Sequence, residues 1–158
     1  MNESTQVTAR EVYETLLEAI REMGWSFEEK ENMQIRFSVQ GNDIPMNFSM
    51  AIHEKKEIVV LYSALPLAFE EPLRQVGAIA VSSANYRLAD GSFDYNIKDG
   101  AVFFRMSASY RESKIGKELL EYMIRCSSMT VDRYNDKLLM LSRGILTLDD
   151  FIREIGFH

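Results

Sequence analysis

The chain has 158 residues, the size of one domain, and its 46% hydrophobic and 27% charged content is enough to bury a core. A single cysteine, Cys126, excludes an internal disulfide framework or a cysteine zinc site, and two histidines, His53 and His158, exclude a histidine metal cluster. Eighteen basic against 24 acidic residues leave a charge of −6, which argues against nonspecific binding to nucleic acid or anionic lipid.

Thr8 and Glu11 form a capping box, and Val12, Leu16, Ile20 and Met23 follow at helical spacing until Gly24 stops the pattern. The spacing predicts a helix over 9–23. The period then becomes two. Met33, Ile35, Phe37 and Val39 alternate with polar residues, Gly41-Asn42-Asp43 turns, and Ile44, Met46, Phe48, Met50 and Ile52 alternate again. After a charged turn at 54–57, Ile58-Val59-Val60-Leu61-Tyr62 is apolar without alternation, as expected of a strand in mid-sheet or under a partner. A further short strand is expected near Trp25–Glu29.

Pro72 suits the first position of a helix running to about Leu88, whose Gly77, Ala78, Ala80 and Ala84 keep it slim enough to lie close to a sheet. Phe93, Tyr95 and Ile97, then Val102, Phe104 and Met106, form a hairpin around Asp99-Gly100. The rest is helical. Ile115, Leu119, Tyr122, Cys126, Thr130, Tyr134, Leu138 and Leu141 mark one face of a helix over 113–143, which would be ~46 Å long if unbroken. A helix of that length is expected to kink or to reach beyond its own core. Thr147 starts a short last helix over 147–157. The order α-β-β-β(-β)-α-β-β-α-α predicts an α+β fold, an antiparallel sheet of five to six strands with helices packed on one face, forming a single domain over 1–158. No run approaches the ~18 apolar residues of a membrane span, and Met1-Asn2-Glu3-Ser4-Thr5 does not open a signal peptide, so a cytoplasmic chain is expected.

The usual marks of enzymes are missing: there is no GxGxxG, P-loop, GxSxG or HExxH. The Asp94–Gly100 stretch has some calcium-loop spacing, but its glycine falls one place late and Lys98 holds a ligand position, so strand and turn describe it better. Cys126 with His53 could in principle pair nucleophile and base. Cys126 fits better as a small apolar residue on a helix face, and His53 as a solvated strand end. The carboxylate pairs Glu28-Glu29, Glu70-Glu71 and Asp149-Asp150 fall at turns and helix starts, where they stay solvated or favour the helix end. No catalytic residue, metal ligand or cofactor is assigned.

One feature of the strands points to a surface. Gln34, Arg36, Ser38, Asn47, Ser49, Asp94, Asn96 and Arg105 would share a polar sheet face, on which Phe103 and part of Val59–Tyr62 form an apolar patch suited to protein contact.

Several stretches also carry a family resemblance. They are Ile58–Leu67 (IVVLYSALPL), Ala84-Asn85-Tyr86 followed by Gly91-Ser92-Phe93-Asp94, the run from Asp99-Gly100 through Phe103-Phe104 to Arg105, and Thr130-Val131-Asp132-Arg133-Tyr134. Over roughly residues 10–143 the chain resembles the YbjN family of bacterial sensory transduction regulators and, through it, the type III secretion chaperone-like fold. That resemblance implies a protein that is no enzyme. The chaperone relatives are small acidic homodimers that hold extended protein segments against apolar surface. The expectation is therefore a homodimeric, chaperone-like adaptor or regulator that binds another protein or itself. Phe103, Arg105, Val59 and Leu61 are the candidate partner-binding residues, with the outer face of the long helix beside them, and any free strand edge would set register. The alternative is a small-molecule sensor or enzyme whose pocket no short motif reveals.

Overall fold

The computed structural model describes residues 7–156. Met1–Thr5, the Phe157 end of the expected last helix, and His158 lie outside these residues. Among those described, the elements are α1 (Ala9–Glu22), β1 (Glu28–Lys30), β2 (Gln34–Gln40), β3 (Pro45–His53), β4 (Ile58–Ala68), α2 (Arg74–Asn85), β5 (Ser92–Tyr95), β6 (Ala101–Ser109), α3 (Lys117–Ser142) and α4 (Leu148–Gly156). The six strands form one antiparallel sheet in the order β1-β2-β3-β4-β6-β5. The α+β expectation holds, with the helices on one side of the sheet.

Register explains which residues make the core. Ile35, Met50, Leu61 and Met106 stand opposite one another across β2, β3, β4 and β6, and all are buried. Against this row lie Leu16 and Ile20 of α1 and Leu120, Ile124 and Leu138 of α3, each at zero exposure. At the β5 end, the rings of Phe93, Phe104 and Tyr134 meet edge to face at centroid distances of 5.3 and 5.4 Å.

The N-terminal helix starts as its capping box dictates. The Thr8 hydroxyl accepts from the Glu11 amide at 3.2 Å, and the Glu11 carboxylate accepts from the Thr8 amide at 2.7 Å. The slim α2 lies where its small residues allow. A β-carbon on Gly77 would come within 2.5 Å of the Phe69 ring and 2.7 Å of the Tyr95 hydroxyl.

Two boundaries depart from expectation. Pro72 is not the first residue of α2: the Leu73 amide closes a turn onto the Glu70 carbonyl at 2.8 Å, and the helix begins at Arg74. The long helix begins at Lys117, because Gly116 is extended and Ile115 is buried ahead of it. Its 26 residues span ~39 Å without a break, and it packs along its length on α1, α2, α4 and the sheet. It is one continuous helix that packs on its own core.

The face it buries follows the expected line at Tyr134, Leu138 and Leu141 and departs from it before them. Leu120, Ile124, Ser127, Val131, Tyr134, Leu138 and Leu141, spaced alternately by four and three, face inward, whereas Leu119 and Tyr122 are exposed. Polar residues at Ser127 and Asn135 interrupt the buried stripe, which makes the neighbouring Cys126–Thr130 line look equally apolar in sequence. Ser127 meets the Met106 sulfur at 3.9 Å, and Ser128 turns its hydroxyl back to the Ile124 carbonyl. Neither polar atom of the Asn135 carboxamide, on a residue only 1% exposed, has a partner among the described residues.

Candidate partner-binding face

With the helices on one side, the other side of the sheet is open. Its residues follow from the strand period: Arg36 and Ser38 on β2, Asn47 and Ser49 on β3, Tyr62 and Ala64 on β4, Asp94 on β5, Phe103 and Arg105 on β6. One cross-strand row runs Glu28, Arg36, Ser49, Tyr62, Arg105, Ser92. Tyr62 is 41% exposed and Phe103 37%, unusual for aromatic rings in the middle of a sheet. Phe103 stands opposite Ala64, whose small side chain leaves room beside it. Arg36, Asn47, Ser49, Tyr62, Asp94 and Phe103 line a shallow depression of about 650 Å³ open to solvent.

Arg105 and Asp94 close one side of this depression through a bidentate pair. The Arg105 Nε donates to one Asp94 oxygen at 2.7 Å and a terminal nitrogen to the other at 3.1 Å. The hydrogen bond first, and the carboxylate charge second, raise the guanidinium above its ordinary pKa. Both side chains are about two-fifths exposed, so the pair contributes geometry more than stability.

Of the four candidate contacts, Phe103 and Arg105 lie on this face. Val59 and Leu61 do not. Both are at zero exposure, pointing toward the helices, so they belong to the core and cannot meet a partner there. The run Ile58–Tyr62 is apolar at every position, so its composition does not reveal which parity faces out. Pairing does: Leu61 lies opposite Met50 and Met106, whose own strands alternate unambiguously, and Tyr62 is therefore the outward residue. Val60 shares the outward parity but is only 3% exposed between Ala51 and Ser107.

The outer face of α3 carries a second apolar surface, with Leu119, Tyr122 and Met129 at 39, 47 and 74% exposure. The Tyr122 hydroxyl donates to Asp90, and that bond, with Cys126 beside it, holds the phenol well above its usual pKa. Cys126 belongs to this helix layer while His53 ends β3 on the open side, so the sheet separates them. The calcium-like stretch is used by its own fold: Asp94 holds Arg105, Asn96 accepts from the Lys98 amide, and Asp99 accepts from the Ala101 amide.

The sheet edges are partly engaged. Asn85 of α2 occupies the outer edge of β5, donating to the Phe93 carbonyl at 2.8 Å and accepting from its amide at 2.7 Å. At the other end β1 covers only Gln34–Arg36, and β2 runs past it from Phe37 to Gln40.

These contacts give structural meaning to the residues that carry the resemblance. Asn85 grips β5. Gly91 adopts a φ of +72°, and a β-carbon there would strike the Phe104 ring at 2.4 Å; Arg105 clasps Asp94; Asp132 of α3 accepts from both the amide and the carboxamide of Asn42 at 2.8 and 2.6 Å, latching the β2–β3 turn. The YbjN pattern, described as "Putative bacterial sensory transduction regulator", matches residues 13–140. The chain belongs to the YbjN family. Among solved structures, YbjN of E. coli, titled a "putative transcription regulator", superposes with a TM-score of 0.57 at 12% identity, covering 83% of this chain and 90% of that one. The ExsC–ExsE complex matches with a TM-score of 0.54 at 15% identity, over 83% of this chain and 95% of its counterpart. The chain thus has the type III secretion chaperone-like fold that the resemblance implied. No curated protein matches the chain in sequence. Among the described residues of this YbjN-family chain, no helix is long and apolar enough to cross a membrane.

Proposed function

We propose that this YbjN-family chain is a single-domain, cytoplasmic, homodimeric adaptor that binds another protein and catalyses no reaction. The observation that carries the reading is the open sheet face, where Tyr62 and Phe103 are exposed within a belt of polar side chains. Burying two such rings is worth more to a complex than their number suggests, since aromatic anchors surrounded by polar residues dominate most interfaces. The likeness to a protein solved in complex with another, ExsC with ExsE, supports a protein partner, as does the family description. The outer face of α3, with Met129 and Tyr122, is the second surface available, and we assign it to self-association.

The test compares the wild-type chain with Phe103→Asp and Met129→Asp. Light scattering on each gives the mass against 18.2 kDa for one chain, and affinity capture from host lysate followed by mass spectrometry identifies the bound protein. The expected result is a dimer that Met129→Asp dissociates, and one recurrent client that Phe103→Asp releases while circular dichroism stays unchanged. A monomer that captures nothing, or a client retained by Phe103→Asp, overturns the assignment.

A further inference from the structure

The charges of the open face do not cancel, although the chain as a whole is acidic. Lys30, Arg36 and Arg105 share that face with Glu28 and Asp94. Two of the three cations are spoken for: Lys30 pairs with Glu28, and Arg105 with Asp94. Arg36 makes no side-chain hydrogen bond or ion pair among the described residues, and it lines the same depression as Tyr62 and Phe103. Its cross-strand neighbour Glu28 is already paired with Lys30. A guanidinium with no hydrogen bond or ion pair of its own among the described residues thus stands beside two exposed rings, on a protein of net charge −6, and marks a place where a further negative group is welcome.

Geometry narrows what that group belongs to. Arg36, Ser49 and Tyr62 are successive members of one cross-strand row. Arg36 and Tyr62 are therefore two strand spacings apart, about 9.6 Å. Phe103 lies diagonally beyond Tyr62, on the next strand and one step along the same face. A polyproline-II segment advances about 9.3 Å in three residues and returns its side chains to one side with that period. The geometry points to an extended acidic segment of a protein partner, lying across the strands, that places a carboxylate on Arg36 and an apolar side chain three residues away on the Tyr62 ring, with Phe103 flanking it. This rests on the protein-binding reading above and adds the chemistry of the partner: acid, two intervening residues, then a large apolar residue. Gln34, Asn47 and Ser49, which also line the depression, offer neutral hydrogen bonds to the backbone between the two anchors.

The experiment uses the full chain and fluorescein-labelled twelve-residue peptides on a proline-serine background. The reference peptide holds one Glu and one Leu three residues apart. In the variants Gln replaces Glu, or Leu is moved to two or four residues away. Anisotropy titrations are run with the wild type, Arg36→Gln and Phe103→Asp. The expected result is that Glu→Gln in the peptide and Arg36→Gln in the protein each weaken binding roughly tenfold, that the two together cost no more than either alone, and that displaced leucines bind less tightly. Equal binding of the Glu and Gln peptides, both lost in Phe103→Asp, overturns the acid readout and leaves the protein-binding face standing. Binding indifferent to both Phe103 and Arg36 removes the face itself. If 4-phenylbutyrate, a small aromatic carboxylate, competes as tightly as the peptide, a small-molecule ligand replaces the segment and the inference fails. Failure of every peptide to bind also overturns it, while the capture experiment above still judges the broader reading.

Discussion

The carboxamide of Asn85 completes the edge of the sheet as a seventh strand would, donating to the Phe93 carbonyl and accepting from the Phe93 amide. An amide side chain carries one donor and one acceptor side by side, and this matches the pair that an outer strand presents. Asn85→Ala strands both backbone groups, and Asn85→Asp keeps the acceptor but sets a carboxylate against the carbonyl. Each variant is expected to lose about 1–3 kcal/mol, read from urea unfolding midpoints, with Asp no better than Ala. An uncovered β5 edge should also raise aggregation on concentration, visible in static light scattering.

Two glycines with the same backbone conformation should respond very differently to alanine. Gly100 and Gly144 have φ of +74° and +69°. A β-carbon at Gly100 would sit 2.0 Å from the Phe69 carbonyl oxygen, whereas at Gly144 it meets nothing within 4 Å. Gly144→Ala should cost about 1–2 kcal/mol, the strain of the left-handed conformation alone. Gly100→Ala adds a backbone clash and should cost several kcal/mol more, with a loss of the Phe69 amide bond to the Gly100 carbonyl now at 2.9 Å. Similar unfolding midpoints for the two variants would refute this.

Asn135 predicts a gain. Its carboxamide is buried in the α3 seam without a partner among the described residues. Asn135→Leu, which keeps the branching and number of side-chain heavy atoms, should stabilise the chain by about 1 kcal/mol and raise Tm by roughly 2–4 °C. A lower Tm would mean that the amide is satisfied in solution, as by a buried water.

The capping box gives a pH dependence. The Thr8 amide and hydroxyl hold the Glu11 carboxyl below its ordinary pKa. A carboxylate depressed in the folded state contributes stability above its unfolded pKa, and that contribution disappears as pH falls through the lower, folded value. Wild type should therefore be more stable than Glu11→Gln at pH 7, with the difference shrinking as the solution is acidified below pH about 4.5. A constant difference across that range would assign the effect to helix propensity instead.

Where the chain repeats with a single clear period, the sequence reading located the elements closely: the expected helix over 9–23 is Ala9–Glu22, and the alternating runs became β2, β3 and β6. The losses share one cause. Ile58–Tyr62 has no alternation, so the outward side of β4 is decided by strands distant in sequence, and Val59 and Leu61 were assigned to the wrong side of it. In the first half of α3 the buried stripe contains serines while the neighbouring line contains Leu119 and Tyr122, so hydrophobicity alone favours the wrong line there; from Tyr134 on, the expected and buried faces coincide. Phe103 and Arg105 were legible because their strand alternates cleanly. Arg36 was visible as a polar-face residue, but its lack of a hydrogen bond or ion pair among the described residues depends on Lys30 taking Glu28, and no local pattern encodes that.

The length and position of α3 also bear on how the protein comes into being. Strands β3 and β4 are complete by residue 68, yet α3, which packs on both, begins at Lys117. A ribosome making this chain at roughly 5–20 residues per second leaves Leu61 of β4 without its α3 cover for seconds. The nascent chain thus passes through an interval in which part of its apolar surface waits for a segment not yet made.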